Sequence, residues 1–454
     1  MSYSPSYVSD EGIRLRPLAR SRPRRGIKKE TFVRGLLTGM LYLTLLRTTG
    51  MWYGYPSNFI EDAPVDPFAQ KLMLYSLIPL IGLYIWLEPN RFVSYFRRIP
   101  VLLIVVSAFS IISLGVSISF GASVRGIAAV AILTVAPLLY RFRYGSVATF
   151  QILINFGIFA AFANILYTVA FPRYAIMSGS YAGMIKGLFY HKNGLGQFCA
   201  VSFIAMLSVG IPKGRLRYSQ LLRWAALLCT LLLIVVSKSS TAVVMVAIGI
   251  SALIGSHMMQ SVRNSLARSF FVFFFCLLLG VAASFAYLGV AQMIADAFGK
   301  DLTFSGRTNI WDQLLPLVYD RPIFGYGFAA FRQPEVMEQY VELTFDARST
   351  HNTYLELALN IGVPGMIAWT VFVLQRLGGR LTATQRSGDL RDTHSKEVAI
   401  ILLIVVGSMM EAGMMLAPVI LWPYLVVSLP VSKPKNTGRS MRDLIADSRH
   451  ATPQ

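Results

Sequence analysis

Apolar residues recur along this chain in runs of about 20, separated by short polar stretches rich in arginine and lysine. Windows of that length place roughly twelve spans, centred near Leu41, Leu80, Ala108, Leu133, Phe159, Met206, Leu231, Ile248, Leu278, Met366, Ile404 and Val426. The runs lack the alternation of a barrel strand. They predict helices, which pair every backbone amide within their own segment. The last window is short and interrupted by Pro418, Pro423 and Pro430. One interval breaks the rhythm: a polar stretch of about 60 residues from Met293 to Asn352, a length at which loops tend to be functional. Within it, Ile310, Trp311, Leu314, Leu315 and Val318 form a helical stripe. That predicts an amphipathic helix from an N-cap at Ser305 to about Tyr319, ending before Arg321-Pro322.

Composition agrees with the pattern. Of 454 residues, 55% are hydrophobic and only 14% charged, with a mean hydropathy of +0.56, which excludes a large soluble enzyme. The net charge of +20 would suit nucleic acid, but the cations are segregated into loops and tails, so membrane topology accounts for them. Cys199, Cys229 and Cys276 lie inside apolar runs and offer neither a disulfide framework nor metal-ligand spacing. No short apolar region precedes the basic stretch from Arg14 to Lys29, so the first span is expected to remain as an anchor.

The even-numbered connections carry Arg91, Arg97 and Arg98; Arg141 and Arg143; Lys213, Arg215, Arg217 and Arg223; Arg263 and Arg268; and Arg376, Arg380, Arg386, Arg391 and Lys396. Lysine and arginine bias sets orientation, so both termini are expected in the cytoplasm and the long loop in the periplasm. The expected organisation is a basic cytoplasmic tail (1–31), spans 1–9 (32–292), the periplasmic loop (293–352), spans 10–12 (353–430) and a second basic tail (431–454).

That orientation exposes cations on the side where the rule depletes them: Arg125, Arg173, Lys186, Lys192, Lys238, Arg307, Arg321, Arg332 and Arg348. Arg47 and Glu411 approach the same face. Charges near the apolar layer usually pair or line a wet cavity. Snorkelling helix ends explain Arg47, Arg321, Arg332 or Arg348 singly, but explain the whole set less well. Arg307 falls in the first turn of the predicted helix, where the dipole favours anions. A cation is out of place there unless it shares one anionic ligand with the free helix N–H groups. Trp311 reads as packing or an interfacial anchor, and Gly325 and Gly327 as a tight turn.

His351 closes the loop at the mouth of the tenth span; an imidazole there can take a proton near neutral pH, or simply cap the helix. Gly362 and Gly365, around Pro364, would bend this span and admit another segment. Glu356 follows His351 by a little over one turn and could orient its ring, pair an arginine or be structural. A second cluster, Gly187 to Gly196, contains His191, Lys192 and Asn193, whose donors suit phosphate or sugar hydroxyls. Ser237-Lys238-Ser239 sits on a very short outer turn, and Arg125 in Ser123-Val124-Arg125-Gly126. His257, His394 and His450 fall on the other side or in the tail.

The order Gly306-Arg307, Trp311, Gly325-Tyr326-Gly327, His351-Asn352, Leu355-Glu356 and Gly362-Val363-Pro364-Gly365 resembles the O-antigen ligase and polymerase superfamily. His351, ten intervening residues and Gly362 reproduce its spacing; His-Lys-Asn and Ser-Lys-Ser resemble its exopolysaccharide-polymerase branch. One departure is Trp311, where some members have leucine four residues after the arginine. The resemblance implies an all-α polytopic membrane protein of about twelve transmembrane helices with one long periplasmic loop, GT-C-like in type. It also implies an inner-membrane glycosyltransferase acting on a glycan carried by polyprenyl pyrophosphate, with His351 as the base. Arg307, Arg125, Lys238, Lys192, His191, Asn193, Asn352 and Glu356 would then bind pyrophosphate or glycan. The acceptor is a second lipid-linked repeat (polymerase) or lipid A core (ligase). Neither metal nor other cofactor is expected, because no carboxylate pair suggests one. Membrane lipids, and a chain-length regulator or export complex, are the other candidate partners; nucleic acid is not. A transporter or flippase is the rival class, but it usually shows two related halves and a central cytoplasmic loop.

Overall fold

The computed structural model describes residues 25–49, 68–208, 218–261, 307–333, 336, 339–340, 350–383 and 391–410. All regular structure among them is helical apart from one isolated bridge, Ile176 to Ile185. Apart from single turns, the helices are α1 (Arg25–Thr49), α2 (Phe68–Leu87), α3 (Pro89–Phe96), α4 (Val101–Ile112), α5 (Phe120–Ala170), α6 (Lys192–Leu207), α7 (Tyr218–Ser237), α8 (Ser240–Ser261), α9 (Arg307–Asp320), α10 (Thr353–Ala383) and α11 (Arg391–Met410). Every predicted span centre except Leu278 and Val426, which lie outside the described residues, falls in one of them. Four helices, α2, α5, α7 and α10, have by themselves the length and apolar character to cross a bilayer. The pair α3 and α4, bent by 89°, would make a fifth. The chain is therefore a multi-pass membrane protein by architecture.

The two spans predicted around Leu133 and Phe159 form the 51-residue α5, interrupted at Gly145, whose φ of 77° an L side chain rarely adopts. Both halves rise from Gly145 in the same direction, as their neighbours show. Arg141, one turn before Gly145, pairs with Glu397 in α11 at 2.7 Å. Six residues further along α11, Leu403 reaches Gly249 of α8, which also packs on Ile204 of α6. Ser202, beside Ile204, packs in turn on Gly157 in the second half of α5. Arg380 of α10 joins Glu397 at 2.7 Å, so α10 and α11 run antiparallel.

One end of the bundle thus gathers cations of the predicted cytoplasmic connections. Arg141 and Arg380 share the fully buried Glu397, and Arg143 pairs with Glu30 of α1. Lys29 and Arg91 both reach Glu88 at 3.3 Å, tying α1 to the α2–α3 junction. The core between the ends is apolar and dense, with Phe156, Phe198, Trp369 and Phe372 buried at its centre.

Candidate functional site

The opposite end collects the motif residues, and α10 organises one half of it. Its ladder breaks at Gly362, whose backbone (φ 78°) is not helical. In an unbroken helix Leu359 O would accept from Val363 N–H, and Asn360 O from residue 364. Residue 364 is proline and has no N–H to give. The segment after α9 fills both vacancies: Tyr326 N–H donates to Leu359 O (2.7 Å) and Gly327 N–H to Asn360 O (3.2 Å). Val363 N–H turns outward to Pro322 O at 2.7 Å. The two glycine motifs are therefore one joint, and the approach is too close for side chains. A Cβ at Gly325 would stand 2.3 Å from Leu359 O, and one at Gly327 2.3 Å from Ser117 Oγ. The same segment reaches the start of α5, where Ile118 N–H donates to Tyr326 O at 3.0 Å and Ser113 Oγ accepts from Phe328 N–H at 3.1 Å.

Helix α9 ends at Asp320, before Arg321-Pro322, as its pattern predicts; Ser305, its expected cap, lies outside the described residues. Its first residue is Arg307, and Ile310 and Leu314 of its predicted stripe are buried with Tyr326, Phe331 and Leu359. Arg321 takes a packing role: its guanidinium lies 4.5 Å from the centre of the Tyr326 ring and donates to Val116 O at 3.4 Å.

Trp311, one turn after Arg307, does more than pack. Its indole N–H donates to Thr350 O at 2.8 Å, fastening α9 to the residue before His351. His351 itself is half-buried with φ 49°, one of three non-glycine residues at positive φ among those described. Lys238, at φ 48°, is another. Such conformations cost of order 1–3 kcal/mol and cluster at functional sites. Asn352 has a structural duty: its Oδ1 accepts from Tyr354 N–H (2.9 Å) and Leu355 N–H (3.2 Å), capping α10. Behind it Thr353, Glu356 and Asn360 are buried at helical spacing, a polar stripe within an apolar span.

The second and third sequence clusters meet each other. His191 caps α6, its Nδ1 accepting from Asn193 N–H at 3.2 Å. Lys192 places its ammonium 3.3 Å from Lys238 O and 5.4 Å from the Tyr181 ring centre, and Tyr181 meets His191 edge-on at 5.1 Å. Gly196 lets α6 approach the α7–α8 turn; a Cβ there would sit 2.6 Å from Ser239 Cβ. Asn164, which the sequence reading missed, anchors this region. Fully buried in α5, it accepts from Leu188 N–H at 2.9 Å, where Gly187 at φ 58° has no room for a side chain. A lone amide near the end of an apolar run was the available signal. Arg125 is exposed on the first turns of α5, beside the Gly126 contact with Phe328 and Ala329. Among the described residues no three His, Cys, Asp or Glu side chains gather as they would to hold a metal ion.

Residues 225–370, which include α9, the His351 turn and the Gly362 break, match the family described as O-antigen ligase. Over that stretch the chain is similar to the O-antigen ligase and polymerase superfamily. A curated relative, the exopolysaccharide production protein ExoQ of Rhizobium meliloti (strain 1021), is 27% identical over 274 residues. The matched stretch spans 58% of this chain and 60% of that relative. Arg125 and the His191–Asn193 cluster lie outside the residues matched to the family.

Proposed function

We propose that this protein is an inner-membrane glycosyltransferase that polymerises polyprenyl-pyrophosphate-linked repeat units into exopolysaccharide or O-antigen at the periplasmic face. One observation carries the reading: the Trp311–Thr350 hydrogen bond joins the helix that begins at Arg307 to the turn that holds His351. A charge-assisted anion contact and a base are thereby braced against one another. An acceptor hydroxyl attacks the anomeric carbon of the donor sugar, and the bond from that carbon to the pyrophosphate oxygen breaks. His351 takes the hydroxyl proton, and Arg307 with the helix N–H groups neutralises the departing pyrophosphate. Fixed cations meet the need that a metal fills elsewhere, since both act by electrostatic stabilisation of developing charge. A single displacement of this kind inverts the anomeric configuration.

The orientation rests on the cation pattern, which gathers Arg141, Arg143 and Arg380 at the end away from His351. The relative's role in exopolysaccharide production and the His-Lys-Asn and Ser-Lys-Ser pieces favour polymerase. The family description favours the second reading, transfer of the lipid-linked glycan to lipid A core. Purified protein in nanodiscs, given lipid-linked repeat units alone, is expected to yield a ladder of longer lipid-linked glycans. Product forming only after lipid A core is added would establish the ligase instead, and neither product would end the transfer reading.

Trp311→Phe tests the brace. Phenylalanine keeps an aromatic ring but removes the indole N–H, leaving the buried Thr350 carbonyl unpaired at a cost of about 1–3 kcal/mol. The expected result is a kcat lowered about tenfold with donor KM nearly unchanged, because positioning of the base suffers and anion binding does not. A raised KM at normal kcat would show that Trp311 serves binding and leaves His351 alone.

A further inference from the structure

The reaction proposed above brings together two lipid-linked chains, and their anions cannot share one place. The donor's pyrophosphate leaves from the sugar under attack. The acceptor's pyrophosphate stays attached to the far end of the chain whose hydroxyl attacks, at least one repeat unit from the reaction centre. A polymerase therefore needs a second anion site displaced from the first, whereas a ligase does not need one of this kind.

The structure divides the outward cations accordingly. Arg307 belongs with His351 through α9 and Trp311. Lys192 and Lys238 belong to another assembly, built from the hairpin between α5 and α6 and the turn between α7 and α8. That hairpin pairs Ile176 with Ile185 and carries Lys186 next in line. Ile185 N–H donates to Val236 O at 3.4 Å, two residues before Lys238, and the Lys192 ammonium reaches Lys238 O at 3.3 Å. Lys186 is half-buried, and its ammonium makes no hydrogen bond or ion pair with any described residue. Burial holds its pKa below the usual lysine value, with no carboxylate of a described residue acting against that shift. A desolvated cation without a counter-charge is costly unless an anion arrives from outside. The backbone around it is held firmly for such a guest. Asn164 accepts from Leu188 N–H, Lys186 N–H and Gly187 N–H both donate to Ala175 O, and Lys238 is kept at positive φ.

We propose that Lys186, Lys192 and Lys238 form a second anion site, separate from the Arg307 helix, that holds the pyrophosphate of the lipid-linked acceptor. The assignment to acceptor rests on the polymerase reading; the site itself rests on the geometry. The test is calorimetric titration of the full chain, in phosphatidylcholine nanodiscs, with farnesyl pyrophosphate and with inorganic pyrophosphate.

Two equivalents of farnesyl pyrophosphate are expected. The Lys186→Gln/Lys192→Gln variant should weaken one by at least about tenfold and spare the other, while Arg307→Ala should do the reverse. Lys186→Arg, which keeps the charge, should retain both and shows that the position tolerates change. A single equivalent in the wild type, or both sets of variants acting on the same equivalent, would overturn the proposal. Inorganic pyrophosphate binding the lysine site as tightly as the farnesyl ester would mark it as a site for free pyrophosphate and remove the acceptor assignment. Two separable equivalents in a protein that makes no polymer would sink the transfer reading and leave the anion site standing.

Discussion

His351→Ala is expected to fold and insert normally yet form almost no polymer, with lipid-linked repeat units accumulating. A sugar hydroxyl is a poor nucleophile at neutral pH, and base catalysis by a positioned imidazole contributes about 10²–10⁴-fold. His351→Gln, which can hydrogen-bond but cannot take the proton, should be nearly as poor. The structure adds a discriminating variant. His351 is held at φ 49°, a conformation that glycine adopts freely and L side chains adopt at a cost of about 1–2 kcal/mol. His351→Gly should therefore leave the thermal midpoint in detergent unchanged or raise it, while turnover falls as far as in the alanine variant. A histidine there for capping or packing would behave oppositely, with stability lost and turnover per folded molecule retained. Wild-type turnover by His351→Gln would remove the base.

Much of this was legible because the bilayer imposes simple rules. The length of apolar runs located α1, α2 and α7, and the cation bias grouped Arg141, Arg143 and Arg380 at one end before any contact was known. The stripe Ile310, Trp311 and Leu314 located α9, and the proline after Arg321 located its end. Pairing between distant segments was not legible. Periodicity says which face of a helix is apolar but not which backbone will meet it. That Gly325-Tyr326-Gly327 hydrogen-bonds to Leu359 and Asn360 follows from two carbonyls freed by a glycine and a proline in another element. Trp311 looked like packing because sequence shows an indole's area more readily than the destination of its N–H. The capping by Asn352 and His191 was not legible either, because helix caps and sugar-binding groups draw on the same polar side chains. Asn164 went unnoticed because one amide hardly changes the hydropathy of its run.

Gly362→Ala is expected to be the most damaging of the conservative glycine substitutions, for reasons of space and conformation together. A Cβ at that position would stand 2.0 Å from Ile323 O and 2.8 Å from Phe324 N, both backbone atoms that cannot swing aside. The residue is also at φ 78°, so the new methyl would favour the helical conformation and return Val363 N–H to Leu359 O. Continuing the helix would expel Tyr326 N–H from its acceptor and leave the segment after α9 with unpaired buried amides, each costing about 1–3 kcal/mol. The combined loss should be about 3 kcal/mol or more, visible as a lowered midpoint of thermal unfolding in detergent and reduced protein in the membrane. Gly378→Ala, further along the same helix, is the control: no described residue comes within 4 Å of a Cβ placed there, and alanine is the better helix former, so stability should hold or rise slightly. Gly362 follows His351 by 11 positions, about 16 Å along a helix, so the break acts on chemistry only through the aim of the first turns of α10. Any folded Gly362→Ala protein should accordingly lose kcat before it loses donor binding. Equal stability of the two alanine variants would show that the joint between α10 and the Gly325–Gly327 segment is not what holds this end of the protein together.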